Sequence, residues 1–219
     1  MDNRSDLVDE LLSSYLKVPV LMQWQSASGL PFPDRFEGSR VEFQGIATEW
    51  LELERIACTA ERAQFVHGLP ARLMLEGPGL EITIGQAALD RWLKRFQLPY
   101  RLELRQDALV VHTELAGFPL AEFETTIEVV GGWFVLKPKR AAFFGVPSYV
   151  SSIFQTYLPV PPLSRESRLA GIDHAEGALT LRFALDNIDE EITPGLLLRL
   201  RKRFFPVVDQ LTGFMNPQK

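Results

Sequence analysis

Side chains that could perform catalytic chemistry are few and scattered in this chain of 219 residues. Three serines lie at 148–152, yet no G-x-S-x-G motif surrounds them, so the strained strand-to-helix turn that exposes a hydrolase nucleophile has no signature here. His67, His112 and His174 are far apart, and none belongs to an H-x-x-x-H pattern, which would place two metal ligands on one helix face. We therefore expect no enzymatic activity, no metal site and no cofactor.

Other polar and glycine-rich groupings have simpler interpretations. Asp173 and His174 are neighbours in a predicted strand, where consecutive side chains point to opposite faces and do not readily orient each other for acid–base catalysis. The acidic run at 186–191 lacks the Asp-x-Asp-x-Asp-Gly spacing of a calcium loop, so we expect a solvated loop. The sequence Gly-Pro-Gly at 77–79 lacks the Lys-Ser/Thr of a phosphate-binding loop, so we expect a β-turn.

The composition is that of a globular protein, with 46% hydrophobic and 23% charged residues, and we treat 1–219 as one domain. A formal charge of −5 argues against a nucleic-acid partner, because phosphate binding needs concentrated positive charge. Cys58 is the only cysteine, so no intramolecular disulfide can form, and a buried thiol is expected. No secretion signal is visible, which predicts a location in the cytoplasm or at the periphery of the inner membrane.

An uncharged tract runs from Ala141 to Ser164, between Arg140 and Arg165. It contains a glycine and four prolines, whereas a membrane-spanning helix needs about 20 unbroken, mostly apolar residues. Apolar and aromatic residues recur in it at helical spacing, which predicts a short helix with an apolar stripe. The residues of this stripe are Val146, Tyr149, Val150, Ile153, Phe154, Tyr157 and Leu158. The stripe packs against the protein's own sheet or lines a pocket for an apolar ligand.

The rest of the chain is predicted to consist of strands joined by short turns, with helices at both ends and one in the middle. Alternation of apolar residues at 80–84 indicates a sheet with one buried and one solvated face. The spacing over Gln86–Phe96 predicts the middle helix. Turn signals at 106–107 and 131–132 then indicate a β-meander. This order of elements predicts an α+β fold with mostly antiparallel pairing.

Within residues 41–185 the chain resembles the LmeA-like phospholipid-binding family. The resemblance is carried by the order of elements, by the helix around Leu89–Leu93, and by the phrase GGWFVLKPK that ends the following strands. It implies a fold similar to tubular lipid-binding (TULIP) domains, in which a curved, mostly antiparallel sheet wraps around a long helix and leaves a groove for acyl chains.

The uncharged tract and the resemblance together predict non-enzymatic binding of a phospholipid or fatty acid in an apolar groove. The predicted lipid-binding residues are Phe143, Phe144, Tyr149, Ile153, Phe154 and Tyr157 for the acyl chain, and Lys139 and Arg140 for the phosphate headgroup. The alternative is a protein-interaction or self-association module that uses the same apolar surface.

A basic run near the C-terminus is interleaved with leucine and phenylalanine, a mixture that suits an interfacial helix on anionic lipid. It comprises Arg199, Arg201, Lys202 and Arg203. These residues predict peripheral membrane contact. The alternative is an ordinary amphipathic helix whose long basic side chains cover apolar surface while their charged ends stay in water.

Overall fold

The computed structural model describes residues 9–10, 13–14, 19–29, 32–47, 52–95, 100–115, 118–130, 133–148, 156–159, 167–196 and 199. Its one long helix is α1, Gln86–Arg95. The strands, in chain order, are β1 Val20–Gln23, β2 Ser26–Ser28, β3 Arg35–Ala47, β4 Glu52–Val66, β5 Arg72–Glu76, β6 Gly79–Gly85, β7 Tyr100–Arg105, β8 Ala108–Leu115, β9 Phe118–Val130, β10 Trp133–Phe143, β11 Val146–Ser148, β12 Thr156–Pro159, β13 Ser167–Ala175, β14 Ala178–Leu185 and β15 Ile188–Glu191.

The first sheet has nine antiparallel strands in the order β1-β3-β4-β6-β14-β13, with β2, β5 and β15 pairing beside this path. Strands β5 and β6 lie end to end along β4, and β15 and β14 lie end to end beside them. The break between β5 and β6 lies beside the break between β14 and β15. Two hydrogen bonds join the chain there: the Gly77 N–H donates to Asn187 Oδ1 at 3.0 Å, and the Leu185 N–H donates to the Pro78 carbonyl at 3.0 Å. Gly77 takes a φ of 57°, which glycine adopts without steric cost.

These aligned breaks correct two expectations. The sequence at 77–79 is a bend between two strands that continue in one direction, and the predicted β-turn is therefore wrong. The acidic run at 186–191 includes β15, which pairs with β5 and holds Asp189 in an ion pair with Arg72 at 2.8 Å, so the predicted solvated loop is also wrong. Asp189 and Glu191 lie on the exposed face of β15, whereas Glu190 lies on the same face as the buried Ile188 and is neutralised by an ion pair with Arg199 at 2.7 Å.

The main core lies on one face of the first sheet, beneath α1. Ile56 pairs with Ile82, which pairs with Leu181, and these three buried side chains form a row across β4, β6 and β14. Ala88 of α1 packs on the same cluster. The inner face predicted at 80–84 is confirmed by the burial of Leu80 and Ile82, whereas Thr83, predicted on the solvated face, is also buried.

The opposite face of the first sheet carries ion pairs within and between strands. Arg40 contacts Glu42 at 2.6 Å and Glu81 at 2.7 Å, and Arg62 contacts Glu37 at 2.9 Å. These charges identify the solvated face and leave the row at Ile56 as the inner one.

The second sheet is a meander of six strands in the order β11-β10-β9-β8-β7, with β12 also pairing with β10. The predicted meander is confirmed. A bulge in β10 lies between Pro138 and Arg140, where the register against β9 shifts.

Two residues join the sheets at the edge of β7. The Gln86 backbone N–H donates to the Gly177 carbonyl at 2.8 Å, and the Gly177 N–H donates to the Leu104 carbonyl at 2.9 Å. The Gln86 side chain donates through Nε2 to the Leu102 carbonyl at 2.7 Å and accepts through Oε1 from the Leu104 N–H at 2.7 Å. A side-chain amide thus pairs with β7 as a neighbouring strand would.

The expected α+β, TULIP-like fold, with a curved sheet wrapped around helices, is wrong. The described residues form a largely antiparallel β fold, and α1 is only ten residues long. Helical backbone is otherwise described only at 9–10, 13–14, 196 and 199. The helix predicted within the uncharged tract is also wrong at both of its ends, because Val146 begins β11 and Tyr157 lies in β12. Its middle, 149–155, lies outside the described residues.

The row at Ile56 provides a direct test of this core. Ile82→Ala should lower the free energy of unfolding by about 2–5 kcal/mol, because the fully buried side chain would leave a cavity between three strands. Ile192→Ala, at a partly exposed position, should change it by less than about 0.5 kcal/mol. Chemical denaturation monitored by tryptophan fluorescence measures both. Equal effects of the two substitutions would contradict this assignment of the core.

Candidate functional site

The two faces of the second sheet differ in chemistry, because residues directly opposite in the ladder share a face. Leu102 pairs with Val111, Val111 with Phe123, and Phe123 with Ala141. We call the surface containing these residues the apolar face; its members are Leu102, Leu104, Leu109, Val111, Ala121, Phe123, Ile127, Ala141 and Phe143. Leu102, Val111 and Phe123 are only half-buried. Leu104, Ala121 and Ala141 of the same face are buried, so the face is covered in part.

The apolar face leads to one end of the sheet, where two hairpins project side by side. The β8–β9 and β10–β11 hairpins are joined there by a hydrogen bond of 3.0 Å from the Phe144 N–H to the Leu120 carbonyl. Four apolar side chains at this end are exposed: Phe118 (74%), Phe143 (44%), Phe144 (74%) and Val146 (66%). We call these four residues the aromatic tip. Phe143 also packs edge-on against Phe123 with ring centroids 5.6 Å apart, which connects the tip to the apolar face.

The β10–β11 turn holds a bulky residue in an unfavourable conformation. Phe144 has φ 52° and Gly145 has φ 76°, so both central residues of this two-residue turn are left-handed. Such turns prefer asparagine, aspartate or glycine, because a larger side chain at positive φ crowds the following carbonyl and costs roughly 1–2 kcal/mol. The phenyl ring is largely exposed, so core packing does not offset this cost.

The predicted headgroup residues take different positions. Lys139 lies at the bulge of β10 and forms an ion pair with Asp107 at 2.9 Å, and this hydrogen bond and charge lower the pKa of Asp107. Arg140 pairs with Glu124 in the ladder and so lies on the face opposite Phe143. It is exposed and has no ion-pair partner within the described ranges.

The other predicted site residues are only partly described. Tyr157 lies in β12, where its backbone pairs with Val135. Arg199 bonds to Glu190 at 2.7 Å and to the hydroxyl of Thr193 at 3.1 Å, so it contributes to a local network beside β15. Outside the described residues lie Tyr149, Ile153, Phe154, Arg201, Lys202 and Arg203.

One residue of the aromatic tip was not identified from the sequence. Phe118 lies in a short run, 115–121, that has no charged or hydrogen-bonding side chain between Glu114 and Glu122. This run is only seven residues long, against twenty-four for the tract at 141–164, so its composition alone is a weak signal. The structure places the two uncharged hairpin ends next to each other.

The other face of the second sheet carries a network of charged groups. Glu103 lies between Arg105 and His112, each at 2.8 Å, and His112 also approaches Glu122 at 3.5 Å. Hydrogen bonds from Arg105 and then His112 lower the pKa of Glu103 to about 2. A carboxyl group that stays ionised to such low pH is a poor general acid at neutral pH. The network is suited to cross-strand stabilisation.

The remaining candidates for chemistry are also separated or inert. Burial raises the pKa of the Cys58 thiol to about 12, so it carries very little thiolate at neutral pH. Asp173 forms an ion pair with Arg182 at 2.6 Å, whereas Nε2 of His174 accepts a weak hydrogen bond from the Ile127 N–H at 3.5 Å. Asp173 and His174 therefore have different partners. Among the described residues no group of three or more His, Cys, Asp or Glu side chains could hold a metal ion.

None of the helices within the described ranges has the length and apolar character needed to cross a membrane.

No family model matches this chain, and neither the curated proteins nor the solved structures contain a detectable match to it.

The strain at Phe144 predicts a stabilising substitution. Phe144→Asn should raise the free energy of unfolding by about 0.5–1 kcal/mol, because asparagine tolerates positive φ and the ring contributes little burial. Phe118→Asn is the matched control: the side chain is equally exposed but its φ is not positive, so no such gain is expected. Chemical denaturation measures both variants. A loss of stability in Phe144→Asn would show that the ring makes contacts that outweigh the strain.

The low pKa of Glu103 predicts a pH-dependent contribution to stability. Because folding lowers this pKa, the stabilisation is present above the unfolded value of about 4.5 and is lost as the pH falls through about 2. Wild type should therefore be more stable than Glu103→Gln at pH 7, with the difference disappearing between these two values. Carboxyl NMR titration should give a midpoint near 2 for Glu103, shifted upward in Arg105→Gln. A midpoint near 4.5 in wild type would contradict the network.

Proposed function

We propose that the protein binds the acyl chain of a phospholipid or a fatty acid along the apolar face of the second sheet, without chemically converting it. The observation that carries the proposal is the half-buried state of this face and its continuity with the exposed aromatic tip. Apolar side chains such as Val111 and Phe123 gain free energy when an acyl chain removes them from water, at about 25 cal/mol per Å².

The shape of the face suits an extended ligand. The half-buried apolar residues Leu109 and Val111 of β8 lie beside Leu102 of β7 and Phe123 of β9, so they form a surface three strands wide. Across the sheet, neighbouring strands are about 4.8 Å apart, so three strands provide roughly 10 Å of apolar width. A fatty-acyl chain can lie along such a surface without needing polar partners.

The sequence resemblance to the LmeA-like phospholipid-binding family implies the same ligand class, whereas the TULIP-like fold that it also implied is not the one observed. Phe143 and Phe144 remain our proposed acyl contacts at the open end of the face. Lys139 is paired with Asp107. It would therefore contact a phosphate headgroup only by exchanging Asp107 for the phosphate. Arg140 would meet a headgroup from the opposite side of the sheet.

A second candidate is a protein-interaction or self-association module. The exposed side chains of Phe118 and Phe144 favour it, because contiguous apolar surface also marks protein interfaces. The two functions differ in the molecule that covers the surface. Lipid extraction from the natively purified protein therefore distinguishes them.

We expect native mass spectrometry to detect about one bound lipid per chain. Phe123→Ala should weaken binding of a fluorescent fatty acid by about tenfold, since loss of a ring contact of ~1.4 kcal/mol changes the dissociation constant by that factor. Phe65→Ala is the matched control, because Phe65 also packs edge-on against a neighbouring ring, Phe36, but in the first sheet. Its affinity should equal that of wild type.

Two outcomes would overturn the proposal. The first is that no lipid is extracted and neither fatty-acid nor phospholipid analogues saturate the protein. The second is equal weakening in Phe123→Ala and Phe65→Ala, which would indicate a general loss of structure. Thermal unfolding of each variant shows whether it remains folded.

A further inference from the structure

We propose that the aromatic tip docks the protein on a phospholipid bilayer by inserting its exposed side chains into the membrane–water interface. This inference goes beyond the proposed function, because it assigns a role to the end of the second sheet rather than to its apolar face. The tip consists of Phe118, Phe143, Phe144 and Val146.

The first argument is the composition of the two hairpin ends. Residues 115–121 read LAGFPLA and residues 141–147 read AAFFGVP, so neither segment contains a side chain that can donate or accept a hydrogen bond. Interfacial insertion favours such segments, because a polar side chain carried into the acyl region loses its water partners.

The second argument concerns the backbone at the tip, which must also satisfy its hydrogen-bonding groups before it enters an apolar medium. Phe143 pairs with Val146, and Leu115 pairs with Phe118, so each ladder extends to its turn. The bond from the Phe144 N–H to the Leu120 carbonyl then links the two hairpins. The tip thus presents apolar side chains on a backbone that is largely paired.

The third argument separates a bilayer from a folded protein partner. A specific protein interface contains about one hydrogen bond per 100–200 Å², many of them from side chains. The fourteen residues of the two segments have no side chain able to form one. A bilayer interface accepts apolar side chains without requiring a matching pattern of donors and acceptors.

The charges that border the tip define the expected kind of membrane. Glu114 and Glu122 are exposed on the β8–β9 hairpin, and Arg140 is exposed on β10. Because this border is not predominantly positive, attraction to anionic lipid contributes little. We infer that the tip binds zwitterionic vesicles, with weak dependence on ionic strength. The basic run at 199–203 would instead require anionic lipid and low salt.

The test is co-sedimentation of the full chain with phosphatidylcholine vesicles, with and without phosphatidylserine, at low and high salt. Wild type should pellet with both kinds of vesicle. Phe144→Asn should lower the vesicle partition coefficient about tenfold, although the folded state is expected to become more stable. The double variant Phe118→Ser/Phe144→Asn should lower it further, by about a hundredfold.

The matched control is Phe32→Ser, since Phe32 is 78% exposed but lies next to the first sheet. This variant should pellet like wild type. Phe118→Ser alone should also lower the vesicle partition coefficient, yet it should keep wild-type binding of the fluorescent fatty acid, because Phe118 belongs to the tip and is not a proposed acyl contact. A failure of the docking inference can therefore be distinguished from a failure of the proposed function.

Several results would overturn the inference. These are an absence of pelleting with any vesicle, equal losses in Phe32→Ser and Phe144→Asn, and pelleting that occurs only with phosphatidylserine at low salt. Analytical ultracentrifugation adds a fourth: a wild-type dimer that the double variant abolishes would identify the tip as a contact between copies of the chain.

Discussion

The organisation of the molecule depends on one pair of neighbouring strands, β6 and β14. Ile82 and Leu181 are directly opposite in this pair, yet almost a hundred residues separate them in the chain. The helix α1 and strands β7–β13 are all inserted between the two strands. β6 and β14 can pair only when the two ends of this long insertion come together. The chain entropy lost in closing that loop must therefore be offset by burial of the row Ile56, Ile82 and Leu181. The same pairing gives the second sheet a fixed point of attachment.

From that attachment the second sheet extends with unequal faces. Its charged face is covered by ion pairs such as those of Glu103, so it needs no further partner. On its apolar face Leu102, Val111 and Phe123 are only half-buried, and the neighbouring end of the sheet exposes three phenylalanines. Antiparallel sheets commonly bury one face and solvate the other. Here the incompletely covered surface is the apolar one, and for this reason we place ligand contact there.

Local sequence signals predicted much of the fold. The helix at Gln86–Arg95, the meander and the buried alternation at 80–84 were identified because each depends on residues close in the chain. The two ends of the helix predicted in the uncharged tract, at Val146 and Tyr157, were misassigned because a dense apolar run satisfies helical spacing and also suits a short strand. Strand β15 was missed for the converse reason: its partner, β5, lies more than a hundred residues away, and only that pairing makes an acidic segment a strand.

Prediction of the candidate site had the same limit. Phe143 and Phe144 were identified from composition, since an uncharged aromatic segment is visible in the sequence. Their relation to Phe118 depends on two hairpins lying side by side, and the separation of Phe143 from Arg140 depends on strand alternation beyond the bulge in β10. Neither relation follows from spacing along the chain. The pairing of Lys139 with Asp107 likewise spans two neighbouring strands.

The amide of Gln86 places a narrow chemical requirement on its position in the chain. It must donate to the Leu102 carbonyl and accept from the Leu104 N–H at the same time. Glutamate has the length but no N–H donor, and asparagine has both groups on a side chain one methylene shorter. Glutamine is therefore the one natural residue that has both groups at this reach. A surface position beside a strand edge, which would ordinarily accept many side chains, is thereby restricted as tightly as a position in the core.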